Sequence, residues 1–404
     1  MEIRPILSTL LRHKTAATLI VLEIALGCAI VCNALFLIGN RLAHMQRPSG
    51  VDEAHLVFIR TNGISDDAEA KAVTHADLEG LRTIPGVVSA TTVNQIPFGH
   101  SAWNSSIKLK PDQDTPTLTT TNYMVAEDGL KTLGLKLLEG RDFNPAEYVD
   151  FDVNEFPAVM LTRAMAQRLF PGQSAIGKSI YVFGTQPHRV VGVIEHLAKP
   201  RDYGPEAEYD MSMLFPARFS YADGGVYALR VADPSQRQAV LEQAKKVVAA
   251  HGPTRIISKN ATGTQEDIRN KYYRNDRAMA WLLVAVVVAL LVVTALGIVG
   301  LASFWVAQRT RQIGVRRALG ATRGQILRYF QTENLLLATV GIVLGMVLAY
   351  AINQLLMSRY ELPRLPLVYL PVGAVLLWAL GQIAVLWPAR RAANVPPAIA
   401  TRSA

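Results

Sequence analysis

Residues 172–179 read Gly-Gln-Ser-Ala-Ile-Gly-Lys-Ser and satisfy G-x-x-x-x-G-K-[ST], the spacing with which a glycine-rich loop and a lysine hold nucleotide phosphates. That chemistry needs a strand before the loop and a helix after it, so that free backbone amides and a helix N-terminus converge on the phosphates. Here a helical pattern, residues 163–170, comes first and a short strand follows. A turn is therefore expected, with Gly177 supplying an unusual φ where the chain enters the strand. No other catalytic pattern stands out. The eight histidines are scattered, without H-E-x-x-H or a pair at metal-ligand spacing, and no G-x-S-x-G nucleophile elbow occurs. The carboxylate pairs Asp66/Asp67 and Asp150/Asp152 fall in polar loops. Neither an enzyme, a metal centre nor a cofactor bound by this chain is expected.

Glu23 is different. It sits some two turns inside an apolar run, where an ionisable side chain is costly and by default a functional candidate; the alternative is structural glue to a neighbouring helix. Asn33 poses the same choice. Cys28 and Cys32, the only cysteines, stand at i, i+4 in the same run and read as small packing residues.

The basic segment 309–328, RTRQIGVRRALGATRGQILR, carries a different chemistry, that of recognition. Drawn as a helix, it puts Arg309, Arg316, Gly320 and Arg323 on one side and Val315, Ala318, Thr322 and Ile326 on the other. Ile313 projects from the basic side, and Gly314 and Gly320 permit close approach of another backbone. An apolar knob ringed by cations suits a socket on a cytoplasmic partner.

Four apolar runs must position these groups: residues 15–38, 278–306, 335–357 and 366–387. Each is long enough, at about 20 residues or more, to cross about 30 Å of hydrocarbon as a helix. Short basic segments set the orientation. Arg4, Arg12 and Lys14 lie in the tail 1–14, six arginines in the loop 307–334, and Arg390, Arg391 and Arg402 in the tail 388–404. The positive-inside tendency makes all three cytoplasmic and places residues 39–277 and the short turn 358–365, with Arg359 and Arg364, outside. This bias accounts for much of the net charge of +9, and no nucleic-acid partner is needed to explain it. The first run exceeds a signal-peptide core and no A-x-A-like site follows it, so it reads as an uncleaved anchor.

The fold class expected is an α-helical membrane protein with four transmembrane helices plus a large mixed α/β (α+β) two-lobed extracytoplasmic domain. In that domain strands are expected at 56–60, 87–94, 106–110, 158–162, 179–183, 189–194, 226–231 and 255–258. Helices are expected to start behind Thr74 and behind Asp233. The strand–helix–strand stretches 56–94 and 226–258 form an internal pair, with residues 123–195 inserted as a second lobe. Residues 265–277 carry dense charge without Pro or Gly, so a single stalk helix is expected to run on into residues 278–306.

Residues 311–327, RQIGVRRALGATRGQIL, followed by an apolar run, resemble the signature of the FtsX-like permease superfamily. The segments LRTIPGV (81–87), LKTLGLKLLEGRDF (130–143), LFPGQSAIGKSI (169–180) and RVVGVI (189–194) resemble the outer domain of MacB-like ABC transporters. The closing WPARRAANVPPAIA resembles that family's tail. The resemblance covers essentially the whole chain. It implies a bacterial inner-membrane permease that dimerises, as a homo- or heterodimer, over a separate ABC ATPase holding ATP and Mg. It further implies a coupling helix formed by Arg311, Gln312, Ile313, Gly314, Arg316, Arg317, Leu319 and Gly320, and ATP-driven motion passed along the stalk to outer domains that export or reposition cargo. A periplasmic adaptor and an outer-membrane tunnel belong to such systems; a relay regulating a cell-wall hydrolase and a lipoprotein-extraction permease are the alternatives. The family pattern usually carries an acidic residue where this chain has Gln312, which raises the hypothesis of a heterodimer.

Overall fold

The structure, a computed structural model, describes residues 14–62, 67–99, 102–201, 208–221, 224–251, 256–360, 364–394 and 396. Arg4, Arg12, Asp66 and Arg402, part of the turn 358–365 and most of the last ten residues lie outside the described residues. Ten helices are used below: α1 (Lys14–Met45), α2 (Asp67–Arg82), α3 (Gly129–Leu133), α4 (Arg163–Leu169), α5 (Arg237–Ala250), α6 (Gln265–Tyr272), α7 (Arg274–Gln308), α8 (Thr310–Ala318), α9 (Arg323–Tyr360) and α10 (Tyr369–Ala393). The chain divides into two compact units, Met1–Gln46 with Asn275–Ala404, and Arg47–Arg274.

In the first unit, α1, α7, α9 and α10 are long and apolar enough to cross a membrane. Their packing follows from small residues. A Cβ placed on Gly345 of α9 would lie 2.5 Å from Cys28 Cβ and 2.6 Å from the Ala25 carbonyl, so the missing side chain is what lets α1 and α9 approach. Cys28 and Cys32 are free and fully buried in this core, beside Ile24, Ala338 and Ile342. Asn33 resolves as glue: its Nδ2 donates to the Ala349 carbonyl of α9 at 3.1 Å and to Ala29 at 2.9 Å.

The basic segment is two elements, not one helix. Gly320, at φ +95°, closes α8, and the amides of Leu319, Gly320 and Ala321 donate to the carbonyls of Val315, Arg317 and Arg316. Thr322 then opens α9. The Gln325 amide donates to Thr322 Oγ1 at 3.3 Å and the Thr322 amide to Gln325 Oε1 at 2.8 Å, a reciprocal cap that starts the helix well ahead of the apolar run.

In the second unit, thirteen strands among the described residues form one sheet. They are β1 (Leu56–Asn62), β2 (Val87–Val93), β3 (Asn104–Ile107), β4 (Leu118–Val125), β5 (Leu137–Gly140), β6 (Val149–Asp150), β7 (Ala158–Thr162), β8 (Ser179–Tyr181), β9 (Pro187–Ile194), β10 (Ser212–Arg218), β11 (Gly224–Val231), β12 (Ile256–Ile257) and β13 (Gly263–Thr264). The main order is β12-β1-β11-β2-β4-β10-β7-β9-β5. The two strand–helix–strand stretches interleave: β1 pairs with β11 and β12, β11 with β2, and α2 and α5 cover them over a core of Val57, Ile59, Leu81, Leu229 and Val240. Asp77 of α2, fully buried, accepts from Tyr227 Oη at 2.5 Å and pairs with His251 at 2.9 Å. The other half of the sheet has its own core around Met124, Phe156, Leu161, Met213 and Phe215. Between the halves, β2 and β4 pair at one position, Val93 with Val125, and Asn94 braces the joint by accepting from the Met124 amide at 2.9 Å.

Three sequence expectations change here. The second lobe runs on to Arg218, because β10 returns parallel to β4 and antiparallel to β7. Thr74 lies inside α2 rather than at its start; its Oγ1 donates to the Ala70 carbonyl and accepts from the Tyr221 amide. The stalk is interrupted at Tyr273, whose buried ring packs on Phe98 and Tyr272 and whose backbone leaves the helix between α6 and α7.

Candidate functional site

In the glycine-rich segment 172–179 the amides at and just before the lysine position are committed within the fold. Gly177, at φ +80°, donates to the Val190 carbonyl at 2.8 Å, Lys178 to Ala175 at 3.2 Å, and β8 follows at Ser179. The Lys178 ammonium is held by Gln173 Oε1 and lies 4.6 Å from the centre of the Phe170 ring. Among the described residues no group of three or more His, Cys, Asp or Glu is placed to hold a metal. Glu23 is half-buried against α7. A Cβ on Gly297 would meet its carboxylate oxygens at 2.5 and 2.6 Å, so a residue without a side chain makes room for it.

The residues that could bind something converge on α8. Ile313 does not project. It is 5% exposed and packs with Val306, Ile326, Phe330, Ala389 and Ala392, because α9 and α10 cover the side of α8 that an isolated helix drawing leaves open. Gly314 is buried beside it, and Gly320 serves the turn rather than an approach. Val315, placed by the drawing on the side away from Arg309 and Arg316, is 45% exposed, and Leu319 is 83% exposed. Gln312, Val315, Arg316 and Leu319 follow the i, i+3, i+4, i+7 spacing of one helix face, and all four are exposed, as is Arg311. The knob ringed by cations is therefore Leu319 with Val315. Arg316 keeps its guanidinium 4.9 Å from the centre of the Tyr329 ring, and Arg316 and Arg317 in the last turn complement the negative end of the helix dipole.

Three ties fix α8 in place. Ile313 is one. Arg317 Nη1 donates to the Ala393 carbonyl at the end of α10. At the entrance, Arg309 Nη1 donates to both Glu333 carboxylate oxygens at 3.0 Å. Sequence reading put Arg309 on one side of a helix with Arg316, Gly320 and Arg323, and passed over Glu333. The available signal was a lone acid on the edge of an apolar run, downstream of a segment of arginines.

Residues 284–397 match the family described as FtsX-like permease C-terminal, and residues 17–247 that described as MacB-like periplasmic core domain. The ABC transporter permease YknZ of Bacillus subtilis is 24% identical over 410 residues, which cover 99% of this chain and 98% of that protein. The macrolide export ATP-binding/permease protein MacB of Chromobacterium violaceum is 29% identical over 288 residues, 68% of this chain and 42% of that one. The chain thus spans about half or less of the MacB relative's length. Among solved structures, the extracellular domain of YknZ from Gram-positive bacteria is 17% identical and covers 50% of this chain and 100% of that one, with a TM-score of 0.33.

Proposed function

Since the chain belongs to the MacB-like family of ABC transporter permeases, with an FtsX-like C-terminal part, we propose that α8 docks on an ATP-binding subunit and that the chain passes ATP-driven movement to its outer unit. The observation that carries this reading is the face of α8: an exposed Leu319 beside Val315, edged by Arg311, Gln312 and Arg316, on a helix fixed from behind by buried contacts. Such a face offers an apolar contact for a socket and cations for an acidic rim. ATP and Mg belong to the partner in this reading, and this chain works as the permease of a dimer whose motion exports or repositions cargo. The chain lies in the inner membrane with α1, α7, α9 and α10 crossing it and both termini on the cytoplasmic side.

Tagged chain purified in detergent from its native membrane, beside Leu319→Asp, tests the reading by mass spectrometry. An ABC ATPase recovered with the wild type and lost with the variant supports docking through this face. Recovery with neither ends the motor reading.

A further inference from the structure

Resting on the docking reading of α8, we propose that Arg309 and Glu333 are positioning residues that hold α8 in register with α9, and that Glu333 acts through its charge rather than its bulk. Arg309 is the residue between α7 and α8, and its amide still donates to the Trp305 carbonyl at 3.1 Å while its carbonyl accepts from Ile313 at 2.9 Å. The side chains of Arg309 and Glu333 are 9% and 2% exposed. The guanidinium also lies over the Trp305 ring, 5.6 Å from its centre.

The surroundings make this pair hard to replace. Arg309 Nη2, Trp305 Nε1 and Asn334 Nδ2 are buried donors without a partner among the described residues. Trp305, Glu333 and Asn334 line one cavity of about 10 Å³ with Ile20, Ile298 and Phe330. Donors and apolar groups surround the carboxylate, so its loss leaves the guanidinium buried with no second anion among these neighbours. A displacement of α8 must then either carry the first turns of α9 with it or separate two buried charges, and the first course is favoured. Docking force on Leu319 thereby reaches α9 through Arg309 as well as through the packing of Ile313.

Limited trypsin digestion of the full chain in detergent reads this directly, because cleavage after Arg311, Arg316 and Arg317 requires α8 to leave its seat. Glu333→Gln, which keeps the bulk, is expected to speed cleavage there by about tenfold or more, whereas Glu333→Asp, which keeps the charge, stays within about threefold of wild type. Cleavage after Arg82 in the outer unit serves as the control for global unfolding and stays unchanged. Wild-type rates in Glu333→Gln, or a larger effect of Asp than of Gln, overturn the proposal. In the copurification, Glu333→Gln is expected to recover at least about tenfold less ATPase, and full recovery despite faster cleavage overturns the positioning role. Absence of an ATPase from the wild type sinks the docking reading alone, and the cleavage order still decides whether the Glu333 charge holds α8.

Discussion

Ile313 and Leu319 stand six residues apart and point to opposite fates: Ile313 is 5% exposed against Phe330 and Ala389, and Leu319 is 83% exposed. An aspartate at each position separates folding from docking. Ile313→Asp places a carboxylate in an apolar cluster without a partner and is expected to cost about 3 kcal/mol or more, read as a lowered midpoint of thermal unfolding in detergent. Leu319→Asp touches nothing buried and is expected to change stability by no more than about 0.5 kcal/mol while abolishing partner recovery. Equal stability of the two variants would contradict the assigned directions.

Close packing of α1 on α9 predicts an asymmetry between two glycines. At Gly345 an added methyl meets Cys28 Cβ and the Ala25 carbonyl, and a backbone carbonyl cannot turn aside, so Gly345→Ala is expected to destabilise by about 1–3 kcal/mol. At Gly300 of α7 nothing lies within 4 Å, and Gly300→Ala is expected to be neutral or to gain up to about 1 kcal/mol from helix propensity. Thermal unfolding of both in one detergent checks the order.

The outer unit carries a titratable ring in its core. His188 is fully buried among Phe183, Phe156 and Phe215, with Nδ1 donating to the Phe156 carbonyl at 2.7 Å. Burial pushes its pKa below 6.5, against the opposing pull of that hydrogen bond, so the folded form keeps the ring neutral. Above about pH 6.5 both states are neutral and the stability is complete. As pH falls below that value the unfolded chain takes up a proton that the folded one does not, and stability is lost until the folded pKa is passed. Melting of the full chain between pH 7.5 and 5 should show this loss, and His188→Gln should flatten it; an unchanged slope in the variant assigns the loss elsewhere.

The contrast between what could and could not be read from sequence has physical causes. Apolar runs reveal membrane helices because hydrocarbon selects composition, and β7 and most of β9 were legible as alternating or β-branched runs, residues 158–162 and 189–194. The strand β4, Leu-Thr-Thr-Thr-Asn-Tyr-Met-Val, was not, since its buried Thr120, Thr121 and Asn122 break the apolar alternation and are stabilised by partners distant in sequence, among them Asn104 for Thr121. Pro216 hid β10. At the candidate site the helical drawing turned Ile313 outward, and the structure buries it and exposes Leu319. A wheel treats α8 as alone, and which side is covered depends on α10, whose Ala389 and Ala392 arrive from some eighty residues away. Glu333 escaped for the same reason, its meaning lying in Arg309.

Gln312 is exposed on the same face of α8 as Val315 and Leu319, four residues before Arg316. Gln312→Glu restores the acidic residue of the resembling pattern and adds an i, i+4 ion pair that contributes about 0.2–0.5 kcal/mol to the helix. Partner recovery is expected to rise several-fold if Gln312 weakens this face. Identical recovery would remove the case for a second, more tightly docking permease.

Lys178 offers a test in the opposite direction. Its ammonium is engaged by Gln173 and Phe170 at the surface of the second lobe, and the amides of Gly177 and Lys178 are committed to Val190 and Ala175. Binding of a nucleotide here would have to break these bonds and would stabilise the fold by mass action, by about 2.7 kcal/mol at a hundredfold excess over Kd, seen as a raised melting temperature. The geometry predicts no such shift with ATP and Mg on the purified chain. Lys178→Ala is expected to cost no more than about 1 kcal/mol, the range of an exposed cation on an aromatic ring. A nucleotide-dependent shift that Lys178→Ala removes would mean that residues 172–179 can rearrange into a phosphate cradle, against the hydrogen bonding seen.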